Sequence, residues 1–553
     1  MKQMLCRSSL ILCVAAATLA GCGGGNSTTP PPPVVAPPPP PAPANVTISG
    51  LMTFDRVPNN RTTNTLDYAN IRQAPIRRHV VEALDGAGAV IATTSTDMAG
   101  RYSVTVASNT PVQMRVRAQL LSTSGATYNV QVLDNTNANA PYILAGSLVS
   151  SGAANSTRDL NAASGWGGAS YTGPRAAGPF AISDSALEPI TAIVAVDPTV
   201  TFTPLNILWS PNNRPADGNL SNGDIGTSFF SSNNGQPFIA LLGAADTDTD
   251  EYDSHVIVHE FGHYVEGTLS RSDSIGGSHT GTAALDSRVA FGEGFGNAFS
   301  GMMLLDPIYR DSFGPRQASG FAINVENNVF SPTGWFNEGS TASILYDIFD
   351  SNSDGADTIS AGFGPIYRAF RDDAYRNTPL ITNIHSYLGA IATQPGVPAA
   401  GLDALIAQQS IGSRRADAVG ETNNGGISFI LPFYKTVTVG GPPVTVCSTN
   451  VRGIQNRLGN YDFARLTIPS TRSVTVTVRA TSGPALATTD PLFEIYRRGT
   501  TITSRDISGT TVETQTLSLA ADDYVIAVAS FVNTTMTTSM PNGDQACYDL
   551  TVQ

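Results

Sequence analysis

Residues 254–269 read SHVIVHEFGHYVEGTL. Apolar side chains recur there at three- and four-residue intervals, which predicts a helix covered on most of its surface. Into that apolar run the chain sets His259, Glu260 and His263. Residues i and i+4 share a helix face, so both imidazoles point to one place. Two imidazoles and a carboxylate withdrawn from water need a compensating partner. The HExxH spacing supplies one, because neutral imidazole is a good zinc ligand and the intervening carboxylate can move protons for a polarised water. His259 and His263 are therefore candidate Zn2+ ligands, and Glu260 is a candidate general base and acid.

A catalytic zinc takes three protein ligands and keeps one position open. The metzincin extension HExxHxxGxxH is excluded, since Glu stands at 266 and Leu at 269. Asp286, in GTAALD, is one alternative; it resembles the aspzincin ligand in residue type but not in spacing. Glu293, in FGEGFGNAF on the next predicted helix, is the better candidate. GEGFGN resembles the GEGWSD segment of fungalysin-type gluzincins, and the thermolysin-like arrangement is similar. That resemblance implies an α+β zincin-type domain that hydrolyses peptide bonds, with Glu293 as the third zinc ligand. In that family an Asp four residues after the ligand Glu orients the first His. Asn297 holds that place here, and its amide oxygen can still accept from an imidazole N–H. The resemblance also implies a downstream Tyr or His that donates to the oxyanion of the tetrahedral intermediate. His385 and Tyr346 are available, as is His279 between the ligands. The strand Thr227–Gly235 is expected to present an edge to an extended peptide.

Around this segment the chain is modular. Its 553 residues exceed one ordinary domain and suggest roughly three or four. Lys2 and Arg7 precede an apolar run that ends in Leu-Ala-Gly-Cys22, a short signal peptide (1–21) that resembles a bacterial lipobox. Cys22 is then the acylated first residue, and a Pro-rich tether (22–45) follows. Gly23 after the Cys favours the outer membrane or cell surface. No other segment reads as long and apolar enough to cross a membrane. Residues 46–160 alternate apolar and polar residues between turn signals and resemble a carboxypeptidase regulatory-like β-sandwich. His79 is expected on a strand surface there. Helical periodicity dominates 165–430, the peptidase-like part. Strands return in 431–553, which resembles the pre-peptidase C-terminal β-sandwich. The expected architecture is thus an α+β zincin-type domain between two all-β sandwiches. Only Cys447 and Cys547 remain after the signal and the lipid, so one disulfide is expected in an oxidising compartment.

A formal net charge of -13 and the absence of a Lys/Arg run exclude nucleic acid as a partner. Two acidic runs suggest Ca2+. The first holds Asp246, Asp248, Asp250, Glu251 and Asp253, with Asp253 also placed to cap the HEFGH helix. The second runs from Asp350 to Gly355, but its twelfth position is Ala361 where an EF-hand needs Glu. The functions compatible with this pattern are an exported, lipid-anchored zinc endopeptidase and, as the alternative, a surface adhesion lipoprotein with an inactive peptidase-like domain.

Overall fold

Short alternating segments pair into sheets because each has one face that must leave water. The computed structural model describes residues 44–352, 355–483, 489–535 and 545–553. The expected signal peptide, Cys22 and the tether up to residue 43 lie outside these. Asn45–Arg56 is the hub of a five-stranded sheet, antiparallel to Arg101–Ala107 and Arg72–Pro75. A ten-stranded sheet follows the main order Phe229–Asn233, Gln236–Leu241, Leu205–Trp209, Thr127–Asp134, Pro111–Thr123, His79–Leu84, Val90–Ser95. Leu205–Trp209 is parallel to both its neighbours, and the other neighbouring pairs on this path are antiparallel.

This sheet crosses the boundary expected near residue 160. Strands from 46–160 and from 165–430 share one ladder, and one apolar core runs from Val46 to residues beyond 430. The physical reason lies in Leu205–Trp209, a strand buried along almost its whole length. Its backbone needs a ladder partner on each side, and Thr127–Asp134 is one of them.

Four helices frame the site: α1 (Gly178–Val196), α2 (Ser254–Leu269), α3 (Ser287–Leu304) and α4 (Glu338–Phe349). By length and composition α1 could cross a bilayer, contrary to the sequence expectation, yet most of its residues are buried inside the fold. It packs on Pro111–Thr123 and Thr127–Asp134. That packing also corrects the reading of His79. The strand His79–Leu84 is buried on both faces, and His79 is completely enclosed. Its Nδ1–H donates to the Arg77 carbonyl at 2.6 Å, and its Nε2 lies 2.6 Å from Ser183 Oγ on α1.

The described residues of 431–553 form two facing sheets. One has five strands (Tyr434–Val437, Tyr461–Ile468, Asp522–Ser530, Pro491–Arg497, Thr500–Arg505). The other has four (Val444–Thr449, Gln545–Val552, Arg472–Ser482, Val512–Leu519). Val446, Leu466, Val476, Phe493 and Leu550 fill the space between them. Cys447 and Cys547 oppose each other on adjacent strands and form the expected disulfide. Phe433, Tyr434 and Phe463 belong instead to the core shared with the rest of the chain. The result is a multidomain architecture of mixed α/β content.

Burial pushes the His79 imidazole down to about 4. Its folded value lies below its unfolded value of about 6.5. The stability it contributes is therefore complete above about 6.5 and lost as pH falls through about 4. Burial lowers His255 and His385 as well. His79→Gln should remove part of the decline in Tm between pH 6.5 and 4, measured by calorimetry; an unchanged decline would refute this assignment.

Candidate metal centre

The segment GEGFGN places glycine at alternate positions of α3, and the crossings of three helices explain why. A Cβ on Gly262 of α2 would stand 3.3 Å from Gly296 Cα and 3.2 Å from the Phe299 ring. A Cβ on Gly294 would stand 2.5 Å from the Glu338 carbonyl oxygen of α4. A Cβ on Gly296 would press to 2.8 Å on the His259 ring. Small residues thus let α2 and α4 approach α3 closely. Glu293 and Asn297, one turn apart, face α2 from the same side of α3.

Three ligand-type atoms converge there. His259 Nε2 lies 3.1 Å from His263 Nε2 and 3.2 Å from Glu293 Oε2, and His263 Nε2 lies 3.3 Å from the same oxygen. Bonds of 2.0–2.1 Å to a tetrahedral zinc would space the ligand atoms roughly 3.3 Å apart. The two Nε2 atoms face each other at 3.1 Å, and a cation between them satisfies both when neither carries a proton. The residues therefore fit the metal implied by the sequence. His259 Nδ1–H donates to Asn297 Oδ1 at 3.1 Å, which fixes the tautomer that bares Nε2. Burial opposes ionisation of Glu293, but the facing His263 and His259 outweigh it and hold the carboxyl well below its usual range. Burial likewise opposes protonation of His263, but Glu293 outweighs it and raises the imidazole to about 10. The site selects for positive charge.

An open cleft of roughly 1150 Å³ reaches this centre, lined by Thr227, Phe230, His259, Glu260, His263 and His279 among others. That exceeds the 300–1,000 Å³ usual for small-molecule sites. The edge of the ten-stranded sheet, Phe229–Asn233, forms one wall. It is also one arm of a hairpin whose turn is Asn234-Gly235, both at positive φ. Glu266 lines the cleft one turn beyond His263, and burial raises its carboxyl to about 7.

Of the three candidate oxyanion donors, the fold brings only His279 to the cleft. Its Nε2 lies 3.2 Å from Glu293 Oε2, and its Nδ1 is 2.8 Å from Glu338 Oε2. Glu338, the first residue of α4, was not anticipated from sequence; its only signal was a carboxylate following Asn337 at a helix start in an apolar context. His385 is fully buried, with Nδ1 2.9 Å from the Ser413 carbonyl oxygen. Tyr346 packs on Gly301, about two turns along α3 from Glu293. Asp286 does not join the metal centre. It caps α3 through Arg288 N and forms a two-pronged ion pair with the Arg288 side chain.

The first acidic run is divided by the fold. Glu251 pairs with Arg175. Asp253 sits at the start of α2 but makes no capping bond, because its carboxylate accepts from Asn59 Nδ2 and from Ser312 N and Oγ. Asp248 and Asp250 instead meet Asp311, from the strand Ile308–Phe313, with one oxygen of each within 4.8 Å of the others. In the second run residues 353–354 lie outside the described ones, and Asp350 ends α4.

No family model matches the sequence, and no curated protein matches it. Solved structures that resemble parts of the chain include the following three. The pre-peptidase C-terminal domain of a Bacillus anthracis collagenase is 10% identical, over 22% of this chain and 94% of that one, with a TM-score of 0.16. A periplasmic inhibitor of g-type lysozyme from Aeromonas hydrophila is 17% identical over 22% and 99%, with a TM-score of 0.14. A family 35 carbohydrate-binding module from Clostridium thermocellum is 15% identical over 20% and 97%, with a TM-score of 0.12. At these values none carries an assignment.

Because Gly296 leaves room for the His259 ring, Gly296→Ala should displace that ligand while favouring the helix. Zinc affinity by competition with a chromophoric chelator is expected to fall about tenfold or more, with far-UV circular dichroism unchanged. Undiminished affinity would show that the ring does not need this space.

Proposed function

We propose that this chain is an exported, lipid-anchored zinc endopeptidase of the gluzincin type. What carries the proposal is the spacing of His259 Nε2, His263 Nε2 and Glu293 Oε2, which matches three corners of a zinc tetrahedron beside Glu260 in an open cleft. Zinc bound there would supply Lewis acidity, polarising the scissile carbonyl and the attacking water. Glu260 takes a proton from that water and returns it to the leaving amine. Asn297 keeps His259 in the ligating tautomer. His279, oriented by Glu338, donates from Nε2 to the developing oxyanion. Phe229–Asn233, the edge strand among the described residues, offers main-chain hydrogen bonds to an extended substrate without regard to its sequence. The Cys22 lipid and the Pro-rich tether would hold the enzyme at the outer membrane or cell surface, facing exported polypeptides.

Glu260→Gln should lower cleavage of casein by at least about 100-fold while retaining one zinc per chain. Glu293→Ala should lose the zinc itself. A Glu260→Gln variant that cleaves normally would eliminate the mechanism. A wild-type chain that binds zinc but cleaves neither casein nor gelatin would favour the adhesion lipoprotein.

Asp248, Asp250 and Asp311 would hold a structural divalent cation, with calcium the best match to an all-carboxylate set. Asp248 Oδ1 and Asp311 Oδ1 are buried and meet no hydrogen-bond donor among the described residues. The strongest charges acting on Asp250 are three further carboxylates, Asp248, Asp311 and Asp253. Buried like charges of this kind call for a cation. Saturating calcium should raise Tm by about 5 °C or more over the chelated protein, and Asp311→Asn should abolish that increment. A Tm indifferent to calcium would remove the site.

A further inference from the structure

The segment between α2 and α3 carries His279, yet it has almost no regular structure of its own. Gly276 and Gly277 both adopt positive φ, a conformation open to glycine. Partners of this loop come from the start of α4, where Asn337 Nδ2 donates to the Gly281 carbonyl at 2.7 Å, and from the C-terminal sandwich. Asn456 Nδ2 donates to the Gly276 carbonyl at 2.8 Å and to the Ser278 carbonyl at 3.0 Å. Arg457 Nη1 donates to the Ser278 carbonyl at 2.6 Å and also contacts Asn456 Oδ1. Further along, Asp286 N donates to the Asn456 carbonyl at 2.8 Å, and Leu458 N donates to the Ala284 carbonyl at 3.0 Å. The loop is thus bracketed on both sides of His279.

The bracket is itself rigid. Asn456 is 1% exposed. Arg457 N donates to Asn460 Oδ1, and Asn460 Nδ2 donates to the Thr449 and Gly453 carbonyls. Nearby, the buried Arg288 of α3 stacks its guanidinium over Tyr461 and Phe463 of the sandwich, 4.9 and 5.3 Å from the ring centres. Arg457 also lies close enough to Glu338, the partner of His279, to feel its charge.

We propose that the C-terminal sandwich is a working part of the catalytic centre, in which Asn456 and Arg457 are positioning residues that hold the Gly276–Ser278 backbone and so set His279 over the cleft. This rests on the peptidase reading and on the role of His279 in it. A backbone held from two directions restrains the following side chain, and a donor misplaced by about 1 Å can lower turnover about 100-fold. Metal binding does not depend on this contact, because all three zinc ligands belong to α2 and α3.

The test is a double-mutant cycle in the full chain, with kcat, KM and zinc content measured on a casein-derived fluorogenic peptide. His279→Ala, Asn456→Ala and Arg457→Ala should each lower kcat at least tenfold, with one zinc retained and KM changed less. Asn456→Ala placed in the His279→Ala background should add little further loss, since both act through one group. Arg457→Lys, which keeps one donor to Ser278, should recover part of the loss. Because Asn456 is buried, Arg457→Ala serves as the less intrusive variant if Asn456→Ala unfolds. A second readout is independent of turnover: the imidazole NMR signal of His279, identified by its absence in His279→Ala, should shift in Arg457→Ala while those of His79 and His385 stay in place. Losses that multiply in full, an unshifted His279 signal, or full activity in both variants would overturn the proposal. Failure of the peptidase reading itself would show separately, as normal cleavage by Glu260→Gln.

Discussion

The close approach of α2 to α3 is the constraint on which the rest of this structure depends. Helices normally pack with axes 8–10 Å apart, set by the side chains between them. Here glycine at 262 on one helix meets glycine at 296 on the other. The ring of His259 fills the space that a side chain at 296 would occupy. A carboxylate on one helix can then stand 3.2–3.3 Å from two imidazoles on the other. Burial penalises each charged form there, and the opposite charges of the cluster offset that cost. The fold holds it together by covering both helices with apolar residues, among them Phe261, Phe295 and Phe299.

Around that pair, the remaining elements build the cleft and its surroundings. The ten-stranded sheet ends at Phe229–Asn233, so a backbone edge runs beside the candidate metal centre. The start of α4 brings Glu338 to His279. The C-terminal sandwich brings Asn456 and Arg457 to the loop that carries His279. Each contribution comes from a different part of the chain, and one contiguous apolar core links these parts. A module that looks detachable in sequence is therefore built into the body.

Several features are legible in the amino-acid sequence. The HEFGH helix and the convergence of His259 with His263 follow from helical periodicity, a local property. So does the shared face of Glu293 and Asn297. The pairing of Cys447 with Cys547 follows from counting. Other features are not legible there. His79 stands between Arg78 and Val80 and reads as a surface residue, but α1 covers that face of its strand. Asp253 reads as a helix cap, but Ser312 and Asn59 compete for its oxygens. Asp311 belongs to no acidic run, and only the strand Ile308–Phe313 carries it to Asp248 and Asp250.

The sequence by itself determined the HEFGH helix, the face that His259 shares with His263 and the face that Glu293 shares with Asn297. These depend on spacing within single segments, where periodicity fixes which side chains share a face. Tertiary structure alone decided which of His279, His385 and Tyr346 reaches the cleft, which aspartates gather, and where one module ends. Those outcomes depend on contacts between residues far apart in sequence, whose geometry is set by how whole elements pack. The boundary expected near residue 160 illustrates the difference: local patterning showed strands on both sides of it, but only their pairing revealed one sheet.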